Sequence, residues 1–175
     1  MAGHSKWAKL KHKKGITDAK KSALFSKLVR FIQVEAKKAR GDRSSPGLRA
    51  AVEKAKAANM PNDNIDRAIE KASQSGELEA VSYEAYGPGG CALIIEGYTD
   101  SRNRTSQELK HILSQNGGSL ANPGAAIWAF TKNAEGKLEA QTPIELSDDD
   151  GQKLADLVEA LEEHDDVNEV YTNAA

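Results

Sequence analysis

The sequence predicts an α+β protein: an N-terminal three-helix basic domain followed by a ferredoxin-like βαββαβ two-layer sandwich with one extra strand. Three observations predict it. Apolar residues recur at helical spacing as far as Gly76, and beyond it they shift to strand alternation and short apolar runs. Formal charge reverses at the same place. Residues 1–76 hold 18 Lys and Arg against 7 Asp and Glu, a net of +11, and residues 77–175 hold 6 against 19, a net of −13, giving −2 overall. From Gly90 onward, the order of periodic segments reads β-α-β-β-α-β. The expected divisions are a flexible basic arm at 1–16, a helical basic domain at 17–76 and an acidic α/β domain at 77–175.

In the first half, Thr17 or Asp18 caps a helix expected to run to about Arg40, with Gly41 just past its end. Leu24, Leu28, Phe31, Ile32 and Ala36 form its apolar face. Ser45-Pro46 starts a second helix, a hydroxyl cap followed by proline in the first turn, with Leu48, Ala51, Val52 and Ala55 inward. That helix breaks near Asn59. Met60-Pro61 opens a third, with Ile65, Ala68, Ile69 and Ala72 inward. The alanine-rich faces imply close packing around a thin core.

In the second half, Val81–Tyr86 alternates as a strand and Gly87–Gly90 is a turn. Cys91–Tyr98 is a mostly buried strand, expected to hairpin with the one before it. Thr105-Ser106-Gln107-Glu108 reads as a capping box for a helix with Leu109, Ile112 and Leu113 inward. Residues 125–131 and 137–146 are the next strands, joined by a turn at 133–136, and Pro143 interrupts the second. Ser147–Asp150 caps a last helix with three acids at its positive end, and 167–172 is the closing strand.

Several classes are excluded. A single Cys91 permits no disulfide within the chain, and its apolar strand suits a buried small hydrophobe better than a nucleophile. No apolar run reaches the roughly 18 residues of a membrane span. The basic start lacks an apolar stretch behind it and contains no arginine, so neither a secretory nor a mitochondrial leader is expected, and the cytoplasm is the expected location. His4, His12, His111 and His164 show no zinc spacing, Asp148–Asp150 point different ways round a helix, and YGPGG lacks the phosphate-loop pattern. No metal, cofactor, small-molecule substrate or catalytic residue is expected.

What remains is charge. MAGHSKWAKLKHKKG carries Lys6, Lys9, Lys11, Lys13, Lys14, His12 and Trp7 with no acid, and positive charge continues through Lys20, Lys21 and Lys27. Such a segment neutralises phosphates, and an aromatic among the lysines can stack on a base. It also reads as a solubilising tail with Trp7 packed on the helices. Arg102 and Arg104 stand before the expected helix in an otherwise acidic half, either as a phosphate site or as local charge balance with Asp100 or Glu108. ANMPNDN, by periodicity, is a joint between helices.

Several of these stretches carry a resemblance. MAGHSKW at the start, DAK at 18–20, F-x-K-L at 25–28, KAKAANMPNDNI at 54–65, YEAYGPGG at 83–90 and TDSRNRT at 99–105 together resemble the YebC/PmpR family, over roughly residues 1–131. KLADLVEALEEHDDVNEVYTNAA is similar to that family's ending. The resemblance implies a cytoplasmic, non-enzymatic protein with a helical domain and two α/β domains, one inserted in the other. It implies either a DNA-binding transcriptional regulator or a ribosome-associated, RNA-binding translation factor that relieves stalling. It adds Asn59, Met60, Pro61 and Asn103 to Lys6–Lys14 and the two arginines as nucleic-acid contacts. The chain departs from the family after AIWAFTKN, where a short AEGK turn at 134–137 stands in place of the inserted domain. The expected partners are DNA or ribosomal RNA and, in that family's second role, the ribosome. A further reading is a protein-interaction module whose acidic half docks a basic partner.

Overall fold

The computed structural model describes residues 18–74 and 76–175; the basic segment 1–17 and Ser75 lie outside them. The described residues form two compact units.

Helices α1 (Asp18–Lys38), α2 (Pro46–Ala57) and α3 (Asn62–Lys71) build a helical unit that reaches Ala80 and takes in Tyr98–Asp100. Leu28, Ile32 and Ala36, four apart on α1, pack with Leu48, Ala51 and Ala55 of α2 and with Ile65, Ala68 and Ile69 of α3. The small alanine side chains let the helices approach closely, so few large groups fill this core. Helix α1 ends at Lys38, two residues before the expected Arg40. The N–H of Gly41 bonds the Ala36 carbonyl at 2.9 Å and that of Arg40 bonds Lys37 at 3.1 Å, the paired closure of a Schellman end. Pro46 begins α2 as expected, but Ser45 makes no side-chain cap bond.

The second unit holds β1 (Glu79–Tyr86) from Val81 on, β2 (Ala92–Thr99) up to Gly97, α4 (Arg102–Gln115), β3 (Ser119–Ala121), β4 (Phe130–Lys132), β5 (Leu138–Ala140), α5 (Asp148–Glu162) and β6 (Val167–Thr172). Its main sheet has the order β3-β1-β2-β6. β3 runs antiparallel to β1, with Glu84 opposite Ala121, and β6 antiparallel to β2, with Ile94 opposite Tyr171. A tight turn joins β1 to β2, closed by the Gly87 N–H on the Cys91 carbonyl at 2.8 Å. The strands that α4 connects, β2 and β3, are therefore parallel with β1 between them, a split βαβ unit.

This corrects the expected ferredoxin-like βαββαβ order, while the α+β class holds. The strand taken as an addition, β1, is one of the two inner strands. The strands expected at 125–131 and 137–146 stay out of the sheet and shorten to β4 and β5, a hairpin of its own with Phe130 opposite Ala140. The cause is local. Backbone N–H groups of Gly124, Ala126 and Ile127, which a ladder would need, are taken by the Glu84 carboxylate.

Side chains along β2 alternate between two cores. Leu93 and Ile95 face α4 and α5 through Leu109, Leu113, Leu154, Leu157, Val158 and Leu161. Ala92 and Ile94 face Ala126, Ala129 and Phe130. Burial on both faces explains why CALII reads as a continuous apolar run. Cys91 is fully buried, and burial pushes its thiol up. Ser147 caps α5 as expected, accepting the Asp150 N–H at 3.1 Å. Among the described residues, no helix is long and apolar enough to cross a membrane.

Candidate nucleic-acid interface

The segment with Lys6, Trp7, Lys9, Lys11, His12, Lys13 and Lys14 lies outside the described residues. The lysines that follow it are placed. Lys20 and Lys27, seven residues apart, share one side of α1. Lys21, exposed, stands about 100° round the helix from Lys20. Along α1, six Lys and Arg stand against Asp18 and Glu35. One pair is internal: Lys38 Nζ lies 2.8 Å from Glu35. A feature that spacing did not announce adjoins this helix. Phe31 stacks on Tyr98 with ring centroids 6.0 Å apart, and Lys54 Nζ of α2 sits 5.8 Å from the Phe31 centroid. Only the fold brings a strand-end tyrosine to the helices.

The Asn59-Met60-Pro61 joint has a clear structural task. Asn59 adopts φ +61°, the left-handed conformation that asparagine tolerates better than most residues. Its N–H bonds Lys56 at 2.9 Å and the Met60 N–H bonds Ala55 at 3.0 Å, ending α2. Met60 is buried in the helical core, and Pro61 is the N-cap of α3. Asn59 and Pro61 remain exposed. Helix α3, which follows a short turn as a recognition helix would, carries Asp63, Asp66 and Glu70 against Arg67 and Lys71. That balance suits a major groove poorly.

Arg102, Asn103 and Arg104 form the first turn of α4, a correction to their expected place before it. The helix starts at Ser101, whose Oγ accepts the Arg104 N–H at 3.4 Å. Thr105, expected to cap, is buried, and its hydroxyl donates to Asp166 Oδ2 at 2.7 Å. Arg104 Nη2 lies 2.8 Å from the same oxygen, and the Asp166 side chain is only 2% exposed. Arg104 is thus largely spoken for by a partner 62 residues away. The exposed Arg102 offers its carbonyl to the Tyr83 hydroxyl at 3.2 Å, and Asn103 is exposed beside it.

Glu108, His164 and Asp166 bring one ligand atom each within 4.8 Å of one another, a grouping that could hold a cation. Its bonds are already assigned. The Asp166 N–H donates to His164 Nδ1 at 3.1 Å, leaving Nε2 to donate to Glu108 at 2.7 Å. A cation at Asp166 would have to displace the Arg104 guanidinium.

A second unannounced feature is the loop 122–129. Glu84 Oε1 accepts the Gly124 N–H at 2.6 Å, and Oε2 accepts those of Ala126 and Ile127 at 2.6 and 2.8 Å. Burial pushes the Glu84 carboxyl up, but the three backbone bonds together hold it below the usual range. The Tyr86 hydroxyl and Trp128 Nε1 both donate to the Ala125 carbonyl. The loop so fixed leaves Ile127 and Trp128 40% and 55% exposed.

The described residues thus comprise a basic three-helix unit and an acidic α+β unit. The chain belongs to the TACO1/YebC family: it matches the TACO1/YebC N-terminal domain over residues 5–75 and the second and third domain over 78–137 and 131–174. It is 52% identical over 136 residues to a probable transcriptional regulatory protein of Petrotoga mobilis, covering 75% of this chain and 54% of that one. With a protein of the same description from Halothermothrix orenii it shares 48% over 168 residues, covering 93% and 63%. The chain thus spans a little over half the length of these relatives. The crystal structure of a conserved hypothetical protein from Aquifex aeolicus superposes with a TM-score of 0.85 at 29% identity, over 98% of this chain and 97% of that one.

Proposed function

We propose that this protein is a non-enzymatic, cytoplasmic regulator of gene expression that binds nucleic acid through its basic half. The observation that carries this is the charge segregation: +11 over residues 1–76 beside −13 over the remainder. A polyanion meets the first and is turned away by the second. Lys6–Lys14 with Trp7, the α1 lysines and exposed Asn59, Pro61, Arg102 and Asn103 are the proposed contacts. Met60, buried, contributes by shaping the joint, and Arg104 by holding the start of α4. The printed description of the relatives, probable transcriptional regulatory protein, supports DNA as the target.

One observation favours a second reading, a ribosome-associated RNA-binding translation factor. Positive charge concentrates on α1 and the segment before it, while α3 is acidic. A protein so charged grips backbone and shape, which suits structured RNA. The two-part match meeting at 131–137 supports a third proposal, that the turn Asn133–Lys137 closes the chain where longer relatives carry a further domain.

Fractionating lysate on sucrose gradients at low and high salt, with nuclease-treated controls, separates the readings. Salt-sensitive, nuclease-sensitive sedimentation with ribosomes supports RNA. Protein at the top of the gradient that binds duplex DNA with a sequence preference supports transcription. A protein that binds neither nucleic acid defeats the proposal and leaves an interaction module.

A further inference from the structure

The acidic unit has one long stretch without acid. Between Glu108 and Glu135 there is no Asp or Glu, while Lys110, His111 and Lys132 fall within it. This stretch contains the edge strand β3 and the loop 122–129, and Trp128 is the most exposed large apolar side chain among the described residues. The Glu84 carboxylate, which reaches the loop, stays ionised and spends its oxygens on three backbone N–H bonds.

Two features make this more than a stray surface tryptophan. The loop is held at both chain and side-chain level, because Glu84 fixes three amides and Trp128 Nε1 is anchored on the Ala125 carbonyl 2.8 Å away. The indole therefore loses little freedom when a partner arrives. Its only polar group is also already used. What it presents is a π face with no hydrogen-bond demand, flanked by Ile127. Such a face accepts any base and reads none, and the charged side chains that its own stretch of sequence supplies are the lysines Lys110 and Lys132.

We propose that Trp128 is a stacking platform for an unpaired base of single-stranded nucleic acid, with the acid-free stretch 109–134 admitting the strand. This rests on the nucleic-acid reading above and adds to it a second contact, outside the basic half, that distinguishes single strands from duplex.

The test measures affinity of the full chain for a labelled twelve-nucleotide single strand and for a duplex of equal length, across a salt series. Trp128→Ala is expected to weaken single-strand binding about five- to 150-fold, the worth of one stacked base. Duplex affinity and the slope of log K against log salt should not change, since no charge is lost. Trp128→Phe, which keeps an aromatic face, should recover much of the loss, and melting curves check that both variants fold. Unchanged single-strand affinity in a folded Trp128→Ala protein overturns the proposal, including when the variant loses a protein partner instead. If Lys20, Lys21 and Lys27 changed to Ala abolish binding while Trp128→Ala does nothing, the basic-half reading stands and the platform falls. If the intact chain binds no nucleic acid, both fall.

Discussion

Asp166 holds the guanidinium of Arg104 at 2.8 Å from a site that is almost wholly buried, so an arginine that sequence alone offers to a phosphate is first a structural partner. The Thr105 hydroxyl donates to the same carboxylate oxygen at 2.7 Å. Removing Arg104 takes an ion-pair partner from a buried carboxylate.

Arg104→Ala is accordingly expected to lower stability by about 1–3 kcal/mol, below the cost of breaking a fully buried pair because the arginine itself is half exposed. Arg102→Ala should lower the denaturation midpoint less than Arg104→Ala does and should weaken nucleic-acid binding. Urea denaturation and binding measured on both variants check the division. Equal stability in the two would contradict the assigned role of the Arg104–Asp166 pair.

Glu84 gives the acidic unit a definite acid response. Its folded carboxyl lies below the ordinary 4.5, because three backbone N–H bonds outweigh the burial that pushes it up. The stabilisation is therefore complete above the unfolded value and is lost as pH falls through the folded one, below about pH 4.5. Glu84→Gln keeps one acceptor oxygen and turns an amide toward the backbone donors. Roughly 1–3 kcal/mol of stability should be lost at pH 7. Thermal melts from pH 7 to pH 3 should show a shallower acid decline in the variant.

Asn59 and Met60 separate conformation from contact. Met60→Ala empties a buried position and should cost about 2–5 kcal/mol. Asn59→Gly suits the left-handed φ of +61° and should keep stability within about 0.5 kcal/mol. If Asn59 serves only to turn the chain, Asn59→Gly binds nucleic acid normally. A folded variant that binds several-fold more weakly assigns the side chain a direct contact.

The helices were legible because their apolar residues repeat locally. Leu28, Ile32 and Ala36 mark one face whatever the rest of the chain does, and Pro46 and Pro61 mark starts. Long-range pairing hid what was missed. β3 is three residues behind Gly117-Gly118, and only its partnership with Glu84–Tyr86 makes it a strand. AAIWAFT alternates like a strand, yet Glu84, about 40 residues earlier, takes the amides a ladder needs. Thr105 was the expected cap of α4, but its hydroxyl goes to Asp166 and Ser101 caps the helix instead. The basic character of the candidate interface was visible in the charge count, but the Phe31–Tyr98–Lys54 cluster and the fixed Trp128 loop exist only once the chain is folded.

The most direct test of the central claim is the salt dependence of nucleic-acid affinity in the intact chain and in a chain with Lys6, Lys9, Lys11, Lys13 and Lys14 changed to Ala. Five phosphate contacts predict a slope of log K against log salt that is shallower by about 4–5 on duplex DNA in the variant, with affinity falling alongside it. Affinity and slope that survive the five substitutions would contradict the account, and would move the binding surface away from the basic segment.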